Sequence, residues 1–170
     1  MPTNTFTQLA STSIASTTAS FTFSGIPSGY TDLRVVWNSR MQSSTDNLSF
    51  YALNGDAAAN YIGHLYYGDS AGFPSGNYRT ADTPGVLSWR IPTSADTAGM
   101  YNRGFLDIHN YLNTTHRKAM HGVNDTDGAL NDLTWTWNNT AAITSITFNM
   151  TGNAGFLINS TFALYGILAA

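Results

Sequence analysis

Residues 132–150 read DLTWTWNNTAAITSITFNM, and the fold class is decided there. Leu133, Trp135 and Trp137 alternate with Thr134, Thr136 and Asn138; after a polar break, Ile146, Phe148 and Met150 alternate with Ser145, Thr147 and Asn149. A period of two puts each apolar set on one face of a strand and leaves the other face polar. Two half-buried strands joined by a short connection follow.

The same signature recurs in both directions along the chain. Phe21 and Phe23 share a face in SFTFSG, and Leu33, Val35 and Trp37 share one in TDLRVVWNS. NLSFYALNG, YIGHLYYG, VLSWRIP, GFLDIHNYL, KAMHGV and STFALYGIL add further strands, about ten in all. Short strands bounded by turn residues at this spacing predict an all-β, jelly-roll-like antiparallel sandwich formed as a single domain. DAAANYIGHL at 56–65 is the best helical spacing, and Gly63 interrupts it.

Two segments lack an apolar period. GDSAGFPSGNYRTADTP, from Gly68 to Pro84, predicts a long exposed loop, and TSADTAG at 93–99 a second one. Tyr66, Tyr67, Phe73 and Tyr78 gather in and before the first loop and make it a candidate recognition surface for a host glycan or another protein. Residues 1–20 are rich in Thr, Ser and Ala, with apolar Phe6, Leu9 and Ile14 spaced among them. They read as an attachment arm or as an edge strand, with the sandwich occupying 21–170. The closing strand is apolar on both faces: Phe162, Leu164 and Leu168 on one, Ala163, Tyr165 and Ile167 on the other. That pattern fits a central strand with the core on one side and a neighbouring subunit on the other, or a strand covered on both faces by its own chain; under the first reading Phe162, Leu164, Tyr165, Ile167 and Leu168 are candidate interface residues, with Gly166 admitting a second backbone.

Composition narrows the function. The 170 residues are 42% hydrophobic and only 10% charged, so the surface is built mainly of Thr, Ser, Asn and Gly. A net charge of -3 gives no basic excess for nucleic acid, and no stretch has the length and apolarity of a membrane span. The start MPTNTFTQLA has neither the charge nor the apolar run of a secretory signal. Cysteine is absent, which excludes disulfides, thiolate metal sites and a Cys nucleophile. All ten acidic residues are Asp, so a polysaccharide-cleaving acid and base would have to come from residues such as Asp69, Asp82 or Asp107. His109, His116 and His121, with Asp107, read as surface or cross-strand residues rather than metal ligands, and NDTDGALND at 124–132 as an Asx-rich turn. No catalytic, cofactor or metal set emerges, and the expectation is a non-enzymatic protein.

Four segments carry a resemblance: FTFSGIPSGYTDLRVV at 21–36, SFYALNGDAAANY at 49–61, NNTAAITSITF at 138–148 and STFALYGI at 160–167, with the D-I-x-N-Y of Asp107–Tyr111 between the second and third. Together they resemble virion structural proteins of tailed bacteriophages of the tail-fibre or capsid-decoration type. The resemblance covers most of the chain and is weakest over 68–103. It implies a jelly-roll-like sandwich, commonly assembled as a homo-oligomer on a virion surface; the expected assembly is a homotrimer on the capsid or tail. Its partners would be copies of itself, the major capsid protein or other virion proteins. The alternative role, resting on the aromatic segment around Tyr66, Tyr67, Phe73 and Tyr78, is a receptor-binding or carbohydrate-binding module directed at host surface glycan.

Overall fold

The computed structural model describes residues 5–44, 49–69, 72–83, 85–88, 91–126, 129–150 and 154–168. Among them are twelve strands and no helix: β1 (Phe6–Ser13), β2 (Ser20–Ser24), β3 (Asp32–Ser39), β4 (Ser49–Leu53), β5 (Tyr61–Asp69), β6 (Gly72–Thr83), β7 (Val86–Ser88), β8 (Asn102–Ile108), β9 (Lys118–Thr126), β10 (Ala129–Trp137), β11 (Ser145–Met150) and β12 (Thr161–Ile167). They form an antiparallel β-sandwich. One sheet has eight strands in the order β1-β12-β3-β8-β9-β10-β5-β6, the other four in the order β2-β11-β4-β7.

The alternation that marks the strands in sequence also builds the core. Leu33, Val35 and Trp37 of β3, Leu106 and Ile108 of β8, Leu133, Trp135 and Trp137 of β10, and Phe162 and Leu164 of β12 face the small sheet's Phe23, Tyr51, Leu53, Ile146 and Phe148, all buried in one cluster. Aromatic rings join the layers, Phe148 lying 5.2 Å from Phe162 and Trp37 5.5 Å from Tyr51, centroid to centroid. At these separations ring pairs add to simple area burial.

Several expectations are corrected. The described residues of the segment 68–84 are not loop: Tyr61–Asp69 and Gly72–Thr83 pair antiparallel, and β6 closes the edge of the large sheet. An edge position tolerates Pro74, because a strand with one free side has no partner for the missing N–H there. The Asx-rich stretch at 124–132 is mostly strand, with Asn124 paired to Asn131 across β9 and β10 and both side chains turned inward and buried. Residues 93–99 do lie outside the strands, yet they are pinned: buried Arg40 donates from its guanidinium to the carbonyls of Thr93, Asp96 and Thr97 at 2.8 to 3.1 Å.

Of the two readings of the N-terminal segment, the structure contains the edge strand. β1 pairs along β12 with a bulge between Gln8 and Ala10. Ile14 is 5% exposed in the core and Leu9 packs against it, while Phe6 remains 46% exposed. β12 is central, between β1 and β3. Phe162 and Leu164 point into the chain's own core at 2% and 1% exposure, so neither is free to meet a subunit neighbour. Gly166 admits no second backbone either: a Cβ there would come within 2.4 Å of the Tyr30 ring of the same chain.

Candidate ligand-binding trough on the open sheet face

The small sheet covers one face of the large sheet, and among the described residues no second layer covers the other. Antiparallel pairing fixes what that face displays, because residues directly opposite one another point the same way. The middle row runs Ser11, Ala163, Val36, Phe105, Val123, Asp132 and Tyr66 across seven strands. One row away, Ser13, Thr161, Asn38, Arg103 and Asp125 are aligned; on the other side lie Gln8, Tyr165, Arg34, Asp107 and His121. An apolar lane with Ala163, Val36, Phe105 and Val123 as its floor is therefore bordered by two polar rows.

A trough of about 880 Å³ occupies this face. Its lining includes Ser11, Val36, Asn38, Arg103, Phe105 and Asp125. Val36 is 38% exposed, unusual for a Val flanked by neighbours on both sides, and among the described residues no second layer lies over it. Neighbouring strands are about 4.8 Å apart, so the lane from β1 to β9 is about 19 Å long, and the bordering rows stand about 7 Å to either side.

The two borders differ in how their polar groups are used. Arg34 and Asp107 form a bidentate pair, Nε to Oδ1 and Nη2 to Oδ2, both at 2.6 Å. Hydrogen bonding to Asp107 holds the guanidinium above its ordinary value against the opposing pull of burial. The guanidinium also lies 4.5 Å from the Phe105 ring centroid and 5.4 Å from that of Phe6, which fixes it as a wall of the lane. His121 Nε2 is 2.9 Å from Asp132 Oδ1, and the Tyr165 hydroxyl donates to Gln8 Oε1 at 3.3 Å. The other border is largely unspent. Arg103 and Asp125 are exposed cross-strand partners that form no ion pair with each other, and Asn38 Oδ1, though buried, has no hydrogen-bond partner.

The candidate residues read from the sequence do not converge here. Tyr66 lies on the open face, 41% exposed, beyond Asp132; Tyr67, as the next residue of β5, points to the opposite face. The expected aromatic cluster is thus divided between two sides of a strand. Phe73 and Tyr78 belong to β6 by backbone, but their side chains lie outside the described residues. His109 approaches Asp32 at 3.6 Å, His116 sits in a turn held by Asn113, and His121 pairs with Asp132. Among the described residues no three potential ligands gather around a point. Asp107 is spent on Arg34, and the side chains of Asp69 and Asp82 lie outside the described residues. Phe6, Tyr165 and Ile167 do come together, beside the Arg34 border of the trough: Phe6 is registered with Ile167, and its ring lies 6.3 Å from that of Tyr165 and 5.4 Å from the Arg34 guanidinium. Leu168 follows Ile167 and donates its amide to the Thr5 carbonyl.

No family model and no curated protein match the chain. Among solved structures, alginate lyase Aly36B is similar at 11% identity and a TM-score of 0.28, over 81% of this chain and 79% of that one. A double mutant of the same lyase in complex with alginate trisaccharide gives the same identity and TM-score over 82% and 80%. A structure of infectious bursal disease virus, Gx strain, is similar at 15% identity and a TM-score of 0.14, over 96% of this chain and 42% of that one.

Proposed function

We propose that this chain is a non-enzymatic structural protein of a tailed-bacteriophage particle, a capsid-decoration, cement or head-fibre protein that acts by binding and assembles as a homotrimer. The sequence resemblance supplies the setting. The structural observation that carries the assembly is the apolar margin made by Phe6, Tyr165 and Ile167, left half-open at the edge of the large sheet. An exposed edge strand with apolar side chains is a liability unless another surface covers it. A neighbouring copy covering about 800 Å² per partner is enough for a stable contact. Light scattering at micromolar concentration tests this: the expected particle has three times the 18.4 kDa chain mass, and the double variant Phe6→Asp, Ile167→Asp reduces it to the monomer. A wild-type monomer under those conditions removes the assembly reading.

A second reading is favoured by a different observation. The trough, with its apolar lane between polar rows, is suited to recognition of a host surface glycan, and decoration and recognition are compatible on one sandwich.

A further inference from the structure

We propose that the trough binds a neutral, unbranched glycan chain lying across the strands from β1 to β9, with Arg103, Asp125 and Asn38 as its hydrogen-bonding edge. The proposal rests on the second functional reading and specifies where and what that reading would bind.

The argument begins with the ligand chemistry that the rows match. A pyranose ring has C–H faces that favour apolar contact and a rim of hydroxyls that both donate and accept. The lane offers the first in Val36, Phe105, Val123 and Ala163; the borders offer the second, about 7 Å to either side. A peptide strand suits the trough less well, because it would gain most by pairing with backbone, and here the backbone of every strand in the floor is already paired on both sides except that of edge strand β1.

Charge then selects the class. Arg34 is neutralised by Asp107, and exposed Arg103 stands directly across from exposed Asp125, so the rows around the lane sum to zero and alternate in sign. A polyanion would gain at Arg103 and lose at Asp125. A neutral hydroxylated chain can donate to Asp125 and accept from Arg103 together, as charge-assisted hydrogen bonds. Asn38 sits between Thr161 and Arg103 in the same row, and its unpaired Oδ1 is a cost that a sugar hydroxyl relieves once the amide turns toward the trough. Position keeps this edge separate from the apolar margin. Ser13 and Phe6 are at opposite ends of β1, about 23 Å apart along the strand, so a trimer closed through Phe6 and Ile167 meets the lane at its Arg34 border and leaves the Asn38–Arg103–Asp125 edge open.

The test titrates the full-length protein with unbranched neutral hexasaccharides of glucose, mannose and galactose, and with a hexuronate of the same length, following amide chemical shifts by NMR. Expected are saturable shifts on Val36, Asn38, Arg103, Phe105 and Asp125 with a neutral member, and about tenfold weaker binding in Arg103→Ala and in Asp125→Ala, both exposed and both expected to keep the wild-type melting temperature. Binding undiminished in both variants overturns the trough while leaving glycan recognition standing elsewhere on the molecule. Binding of the hexuronate alone overturns the neutral class. Silence across the panel overturns the proposal together with the reading beneath it. Dissociation of the oligomer by the same two substitutions would also overturn it, identifying the trough as a subunit contact.

Discussion

Gly63 lacks a side chain because Trp135 occupies the space: a Cβ there would be 2.3 Å from the indole, which is buried in the core. Gly166 has the same relation to Tyr30 at 2.4 Å, but Tyr30 is only half-buried, against a Trp135 that is buried in the core. Gly63→Ala is therefore expected to cost about 1–3 kcal/mol, as overpacking does, and Gly166→Ala less. Urea midpoints of the two variants check the order, and a larger loss at Gly166 would contradict this packing. Asp56 is a second residue whose role is local. Burial pushes its carboxyl up, but donors from Asn60, Trp137 and the Ala58 amide outweigh that and leave it below the usual carboxylate value. A carboxyl depressed in the folded state adds stability above its unfolded value, and that stability is lost as pH falls through the folded one. The melting temperature of wild type should fall below about pH 4 more steeply than that of Asp56→Asn. Parallel curves would show that the Asp56 charge contributes nothing.

At the scale of elements, the strands that could be read in sequence are those whose inner positions are apolar. β10 and β11 are legible because Trp135, Trp137, Ile146 and Phe148 fall on every second residue and are the residues that meet in the core. β9 and β10 extend further than their apolar patterns because Asn124 and Asn131 take inward positions near the hairpin end, where polar residues had suggested a turn. β6 is illegible for another reason: its Gly, Ser, Thr and Asn residues carry no apolar period, and its place in the sheet comes from pairing with β5. The trough could not be read at all. Its edge takes Ser13, Thr161, Asn38, Arg103 and Asp125 from five strands, brought into one row by register between residues as distant as 13 and 161. No local spacing encodes that. The aromatic cluster failed by the opposite route: Tyr66 and Tyr67 are adjacent in sequence, and a pleated strand sends adjacent side chains apart.

The whole molecule explains why the strand at 161–167 is so apolar. β12 inserts between β1 and β3 in the large sheet, and β11 inserts between β2 and β4 in the small one, so the two last strands close both layers over the same core. Phe162 touches Phe21, Phe148 and Phe156, and Leu164 is buried beside them in the same cluster. Pairing residue 13 with 161 and residue 38 with 161 also means that this half of the sandwich waits for its last contacts, which places the protein among slow-folding, non-local topologies. Removing an edge strand and removing a central one should then differ in kind. A chain beginning at residue 15 loses β1 and Ile14; it is expected to keep a cooperative urea transition with stability lowered by several kcal/mol, since one buried aliphatic and one ladder are gone. A chain ending at residue 159 loses the ladders to both β1 and β3 and uncovers Trp37, Phe148 and Phe156, and it is expected to show no cooperative transition and to aggregate at micromolar concentration. If that shortened chain unfolds cooperatively near the full-length midpoint, the closing strand is dispensable to the core and the margin at Tyr165 and Ile167 would have to be explained by assembly alone.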